Sequence, residues 1–134
     1  LRYVSDYSLL ELGVSSHDGA LTSLKLVQAD GLSPMNMPSF PSTVDDGLPL
    51  FDISCWKGKR LLDIERPVAL ALSDSSAFLV LDRSRKADKL ARYKNLSLGM
   101  SEGYPCWILI EGLEKKQILG IKGSVENSSR GSFL

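Results

Sequence analysis

Residues 67–82 read PVALALSDSSAFLVLD, and this stretch decides the fold. Two apolar runs, 68–72 and 77–81, flank the polar tetrad Ser73-Asp74-Ser75-Ser76. Each run has strand length, and a polar turn between two such runs predicts a β-hairpin. The apolar residues are continuous, where a sheet with one wet face would alternate. The hairpin is therefore expected through the middle of a sheet, with both faces covered.

Upstream, residues 7–14 (YSLLELGV) place Leu10, Leu12 and Val14 on one face at a period of two. The loop Ser15-Ser16-His17-Asp18-Gly19 is rich in turn formers, and residues 21–28 (LTSLKLVQ) return as a second strand. Residues 29–47 carry Pro34, Pro38, Pro41, Gly31 and Gly47, which predicts an irregular loop. Connections this long in a single domain are usually functional or mobile. Met35, Met37 and Phe40 sit in it, either folded onto the core as a flap or presented as an adaptable apolar contact surface. A third strand is expected over 48–56, with Leu48, Leu50 or Phe51, Ile53 and Cys55-Trp56 as buried candidates. A fourth is expected over 61–65 (LLDIE).

Downstream of Asp82 the pattern predicts one helix, over 83–93 (RSRKADKLARY). Ala87, Leu90, Ala91 and Tyr93 form its apolar stripe, and Asp88 and Arg92 are spaced to pair. Residues 105–111 (PCWILIE) and 117–122 (QILGIK) are expected to close the fold as a last hairpin, and 126–134 as a flexible tail. The expected fold class is thus α+β and mostly β: a single domain over 1–134 built on an antiparallel sheet of six to eight strands. That sheet is curled or sandwich-like and carries one short basic helix near 83–93.

The chain's 134 residues suffice to bury a core without help from disulfides or metal. Cys55 and Cys106, each followed by tryptophan, read as buried free thiols rather than a disulfide framework. No apolar run is long enough to span a bilayer, and the start of the chain has no basic-then-apolar signal pattern. A cytoplasmic location is expected. Formal net charge is zero, which argues against dedicated nucleic-acid binding. The charge is nonetheless uneven: residues 1–65 carry nine acids against five bases, and residues 66–134 eleven bases against seven acids. Such polarity suits a charged partner, unless folding interleaves the halves.

No catalytic constellation is visible. His17 stands alone in a turn, and neither cysteine has a second ligand nearby, so no metal site and no cofactor are expected. Gly58-Lys59 lacks the pattern of a phosphate-binding loop. The basic residues of 83–94 have only Tyr93 as a stacking partner, and a solvated face explains them better than nucleic acid. Asp45, Asp46, Asp52, Asp63 and Glu65 fall near one another along the chain. They form either a solvated acidic edge or, less commonly, a source of acid–base pairs.

The opening strand–turn–strand, the proline-rich middle with its Asp45-Asp46-Gly47, and the closing WILI and ILGIK segments resemble small bacterial immunity proteins. These are partners that neutralise toxins of contact-dependent or related delivery systems. The resemblance implies a non-catalytic inhibitor that binds a cognate protein toxin and covers its active site or an adjacent surface. Asp45, Asp46, Asp52, Asp63 and Glu65, with Met35, Met37 and Phe40 as apolar anchors, are the expected contact residues. The alternative is a small ligand-binding or carboxylate-dependent enzyme domain. Loop 29–47 would then serve as lid over a pocket lined by Trp56, Trp107 and nearby carboxylates.

Overall fold

The computed structural model describes residues 1–29, 31–34, 36–37, 40–56 and 61–129, with side chains except those of Cys55 and residues 124–129. Met35 and the basic turn at Lys57-Gly58-Lys59 lie outside the described residues.

Two sheets share one core. The first has strand order β3-β2-β1-β5, from β1 (Arg2–Val4), β2 (Leu9–Val14), β3 (Leu21–Gln28) and β5 (Asp63–Glu65). The second has order β4-β8-β9-β10-β7-β6, from β4 (Val44–Asp46), β6 (Ala69–Leu72), β7 (Ala77–Val80), β8 (Lys89–Tyr93), β9 (Leu96–Ser101) and β10 (Tyr104–Ile110). Most pairings are antiparallel; β1 with β5 and β4 with β8 are parallel, and the sheets do not close into a barrel. The mostly-β expectation with one short helix holds, but as two mixed sheets of four and six strands. No described helix is long and apolar enough to cross a membrane.

The expected hairpin forms: β6 and β7 pair antiparallel, Leu70 opposite Leu79 and Ala71 opposite Phe78. Its place differs, because β6 is the edge strand and β10 is interior. Both faces are covered, as the continuous apolar runs require. Leu70, Ala77, Leu79 and Leu81 join Leu10, Leu12 and Tyr3 of the four-stranded sheet in the main core. Ala71 and Phe78 turn outward, into a second cluster with Leu90, Cys106, Trp107 and Leu109. At ~1.5–3 kcal/mol for each fully buried large aliphatic side chain, the shared core is the principal stabilising term. Ser8 ties the sheets together at this point, its hydroxyl accepting from the Val68 amide at 3.1 Å.

A bulge in β10 between Pro105 and Trp107 puts Cys106 and Trp107 on the same outer face. The freed Cys106 carbonyl accepts both the Leu81 and Asp82 amides, at 2.9 and 3.0 Å. This fixes where the 67–82 stretch ends. Cys106 is a buried free thiol, and burial pushes its pKa up.

The helix lies elsewhere than expected. Residues 83–88 are loop and bend, and 89–93 form β8, so the basic segment is not helical. Leu90 faces the outer cluster and Ala91 the main core, which is the two-sided burial of an interior strand. Asp88 and Arg92 do not pair; Lys89 instead reaches Asp45 across the β4–β8 ladder. The helix is α1 (Lys115–Ser129), which replaces the expected strand at 117–122 and takes in residues 126–129 of the expected tail; residues 130–134 lie outside the described residues. Gln117 starts it. Its side-chain oxygen accepts the Glu114 amide at 2.8 Å, the reciprocal half of a capping box. Ile118 is then buried, and Ile121, one turn on, packs against the main core.

The third expected strand, 48–56, is also replaced. Leu50 makes one isolated bridge with Ala20, and Ser54–Trp56 is a single 3-10 turn. Pro49 cannot donate, and Asp52 accepts both the amide and the hydroxyl of Ser54, curling the chain before a strand can extend. Leu48 and Leu50 are consequently exposed.

Candidate functional site

The irregular loop ends in β4, an edge strand of three exposed residues held parallel to β8. Its outer edge has no strand neighbour among the described residues. Strand pairing places Asp45 opposite Ala91 and Asp46 opposite Arg92. Beside this edge runs an open groove of about 390 Å³, formed by 44–50 on one side and by Asp88, Lys89, Met100 and Glu102 on the other. Asp45, Asp46, Asp88 and Glu102 all line it. Asp52 adjoins it, with its amide donating to the Gly103 carbonyl at 3.0 Å.

Two cations answer these acids. Lys89 pairs with Asp45 at 2.6 Å, and the Asp45 carboxylate holds the lysine pKa above its ordinary value. Arg85 pairs with Glu102 at 2.9 Å. Asp46 and Asp88 have no ion-pair partner among the described residues. Three apolar side chains stand among the charges: Val44 is 44% exposed, Leu48 47% and Leu50 62%. An apolar centre with an acidic rim on an unpaired sheet edge can receive a basic protein surface.

The remaining sequence candidates are distributed differently. Asp63 and Glu65 lie on β5, the edge of the other sheet, outside this groove. Both Asp63 oxygens accept from Arg2, at 2.7 and 2.8 Å, and the guanidinium holds the carboxyl below the usual range. The Asp52 carboxyl is held low by the Ser54 hydroxyl and amide. Met37 is exposed, and Phe40 stacks on Trp107. Met35 and Cys55 cannot be placed among the described side chains.

Trp56 belongs to the main core and Trp107 to the outer cluster. His17 is exposed, and no described group of three or more His, Cys, Asp or Glu side chains is placed to hold a metal. Asp88, Glu102 and Lys89 were not legible as neighbours of Asp45. They converge only because β4 pairs in parallel with a strand more than forty residues downstream. No family model matches the chain, and a search of the curated proteins found no match.

Proposed function

We propose that the protein is a non-catalytic binding module of the immunity type, which neutralises a cognate toxin domain by covering a basic surface of it with the edge around β4. The observation that carries this reading is the gathering of Asp45, Asp46, Asp88 and Glu102 around one groove with Val44, Leu48 and Leu50 exposed among them. Carboxylates on such a rim speed encounter with a cationic partner and fix its register, while the exposed apolar residues supply the area that excludes water. The unpaired side of β4 adds main-chain donors and acceptors for a partner strand.

The test is co-expression with toxin domains encoded beside the gene, followed by calorimetry on the purified pair. The wild-type chain is expected to suppress toxicity and bind. The double variant Asp45→Lys, Asp46→Lys is expected to bind about a hundredfold more weakly while remaining folded, its melting temperature lowered only by the loss of the exposed Lys89–Asp45 pair. Full-strength binding by the variant would remove this surface from the interface. Failure of the wild-type chain to protect against any adjacent toxin would remove the immunity reading.

A further inference from the structure

A second groove opens on the outer face of the six-stranded sheet, and its chemistry is opposite to that of the first. It exists because β6 presents small side chains where its neighbours are large: Ala71 lies opposite Phe78, and Ala69 opposite Val80, which itself faces Trp107. The hollow, half open and about 290 Å³, has Ala71, Phe78 and Trp107 among its lining; Ser33 and Asn36 of the loop contribute polar wall.

Asp82, only 9% exposed, borders the hollow with its carboxylate already satisfied. One oxygen accepts the Ser84 amide at 3.0 Å and the Ser84 hydroxyl at 2.6 Å; the other pairs with Arg66, and Arg85 lies 3.6 Å from it. Asp82 therefore positions arginines and leaves them in excess. Arg66, Arg83 and Arg85 surround Asp82, and Glu102 is the one other carboxylate that pairs with them among the described residues. Arg83 lines the groove and has no ion-pair partner among the described residues.

The geometry points to a binding site for a small aromatic anion, with its apolar body in the hollow against the half-buried Ala69 and Val80, above the buried Ala71, Phe78 and Trp107, and its carboxylate or other acidic group on Arg83 and Arg85. The volume lies at the lower end of the range for small-molecule sites, which limits the body to about a bicyclic ring. Guanidinium donors match an acidic head group in shape and charge, and a charge-assisted contact at a partly dry site discriminates against a neutral isostere.

The experiment is calorimetric titration of the full chain with 1-naphthoate and with the neutral 1-naphthamide. Naphthoate is expected to bind with a Kd at or below about 1 mM, and naphthamide about tenfold more weakly. Arg83→Gln is expected to reduce naphthoate affinity about tenfold, with no change in naphthamide affinity. Ala69→Leu, on the half-buried edge strand, is expected to fill the groove and remove both ligands, with thermal melting confirming a folded chain. No heat with naphthoate at about 5 mM overturns the site. Equal affinity for the two ligands, or an Arg83→Gln variant that binds naphthoate like wild type, overturns the anion assignment. Undiminished binding to folded Ala69→Leu overturns the location. The Asp45→Lys, Asp46→Lys variant binds naphthoate like wild type in every case, which separates this site from the β4 edge.

Discussion

The Phe40 ring lies 5.1 Å from Trp107, centroid to centroid, with 29° between the planes. Trp107 is also 5.8 Å from Phe78. The proline-rich loop is thereby fastened to the outer face of the six-stranded sheet by an aromatic stack. Replacing Phe40 with alanine removes this fastening and wets one side of Trp107. The expected loss is about 1–2 kcal/mol in urea unfolding, since the ring is only partly buried, together with a red shift of tryptophan emission. Unaltered emission would show that the loop does not rest on Trp107.

Gly99 is the cross-strand partner of Trp107, and a Cβ built on it would fall within 2.2 Å of the indole. No side chain fits there unless Trp107 moves. Gly99→Ala is expected to cost about 3 kcal/mol, at the upper end for overpacking in a closed core. A urea midpoint close to the wild-type value would contradict the packing of β9 on β10.

Gly120 and Gly123 lie inside α1, and an added Cβ at either meets nothing within 4 Å. Glycine is unfavourable in a helix by about 1 kcal/mol relative to alanine. Gly120→Ala and Gly123→Ala should each raise stability by about 0.5–1 kcal/mol and increase the helical circular dichroism signal. Were residues 117–122 a strand, Gly120→Ala would bring no increase in the helical signal.

Burial pushes the Asp82 carboxyl up, but the Ser84 hydroxyl and amide and the Arg66 guanidinium together outweigh it and hold the pKa below the ordinary value. A carboxylate with a depressed folded pKa contributes stability that is present above its unfolded pKa of about 3.9 and is lost as pH falls through the folded one. Asp82→Asn should therefore cost about 1–2 kcal/mol at neutral pH, a figure tempered by the exposure of Arg66. The gap in melting temperature from wild type should narrow as pH drops below about 4. A gap that stayed constant down to about pH 2.5 would mean that the charge of Asp82 is not what stabilises the fold.

Strand existence was legible where the local pattern was unambiguous. Residues 21–28 alternate, and 68–72 with 77–81 are continuously apolar; each of these became a strand with the burial its pattern implied, apart from small shifts at the ends. Residues 83–93 misled because Leu90, Ala91 and Tyr93 satisfy a loose helical spacing. In the structure Leu90 and Ala91 are buried on opposite faces of one strand, a condition that mimics helical periodicity. Residues 117–122 misled in the other direction: the short apolar run QILGIK has strand length, and the Glu114–Gln117 cap that starts a helix there lies in one side-chain contact.

The candidate site was half legible. Asp45, Asp46 and Asp52 stood out as acids, and the proline-rich loop as a functional segment, but their neighbours were fixed by the parallel β4–β8 pairing. Pairing between segments so far apart is set by how the whole core closes, and it leaves no local mark.

What the sequence by itself determined is a mostly-β chain with a two-sided apolar hairpin at residues 67–82, because strand periodicity and continuous hydrophobicity are local properties. Only the tertiary structure decided that this hairpin sits at a sheet edge, with β10 in the interior. It alone brought Arg66 onto Asp82 and set Asp88 and Glu102 beside Asp45 and Asp46. Strand order and charge convergence are non-local quantities, chosen by the packing that covers both faces of every apolar strand at once.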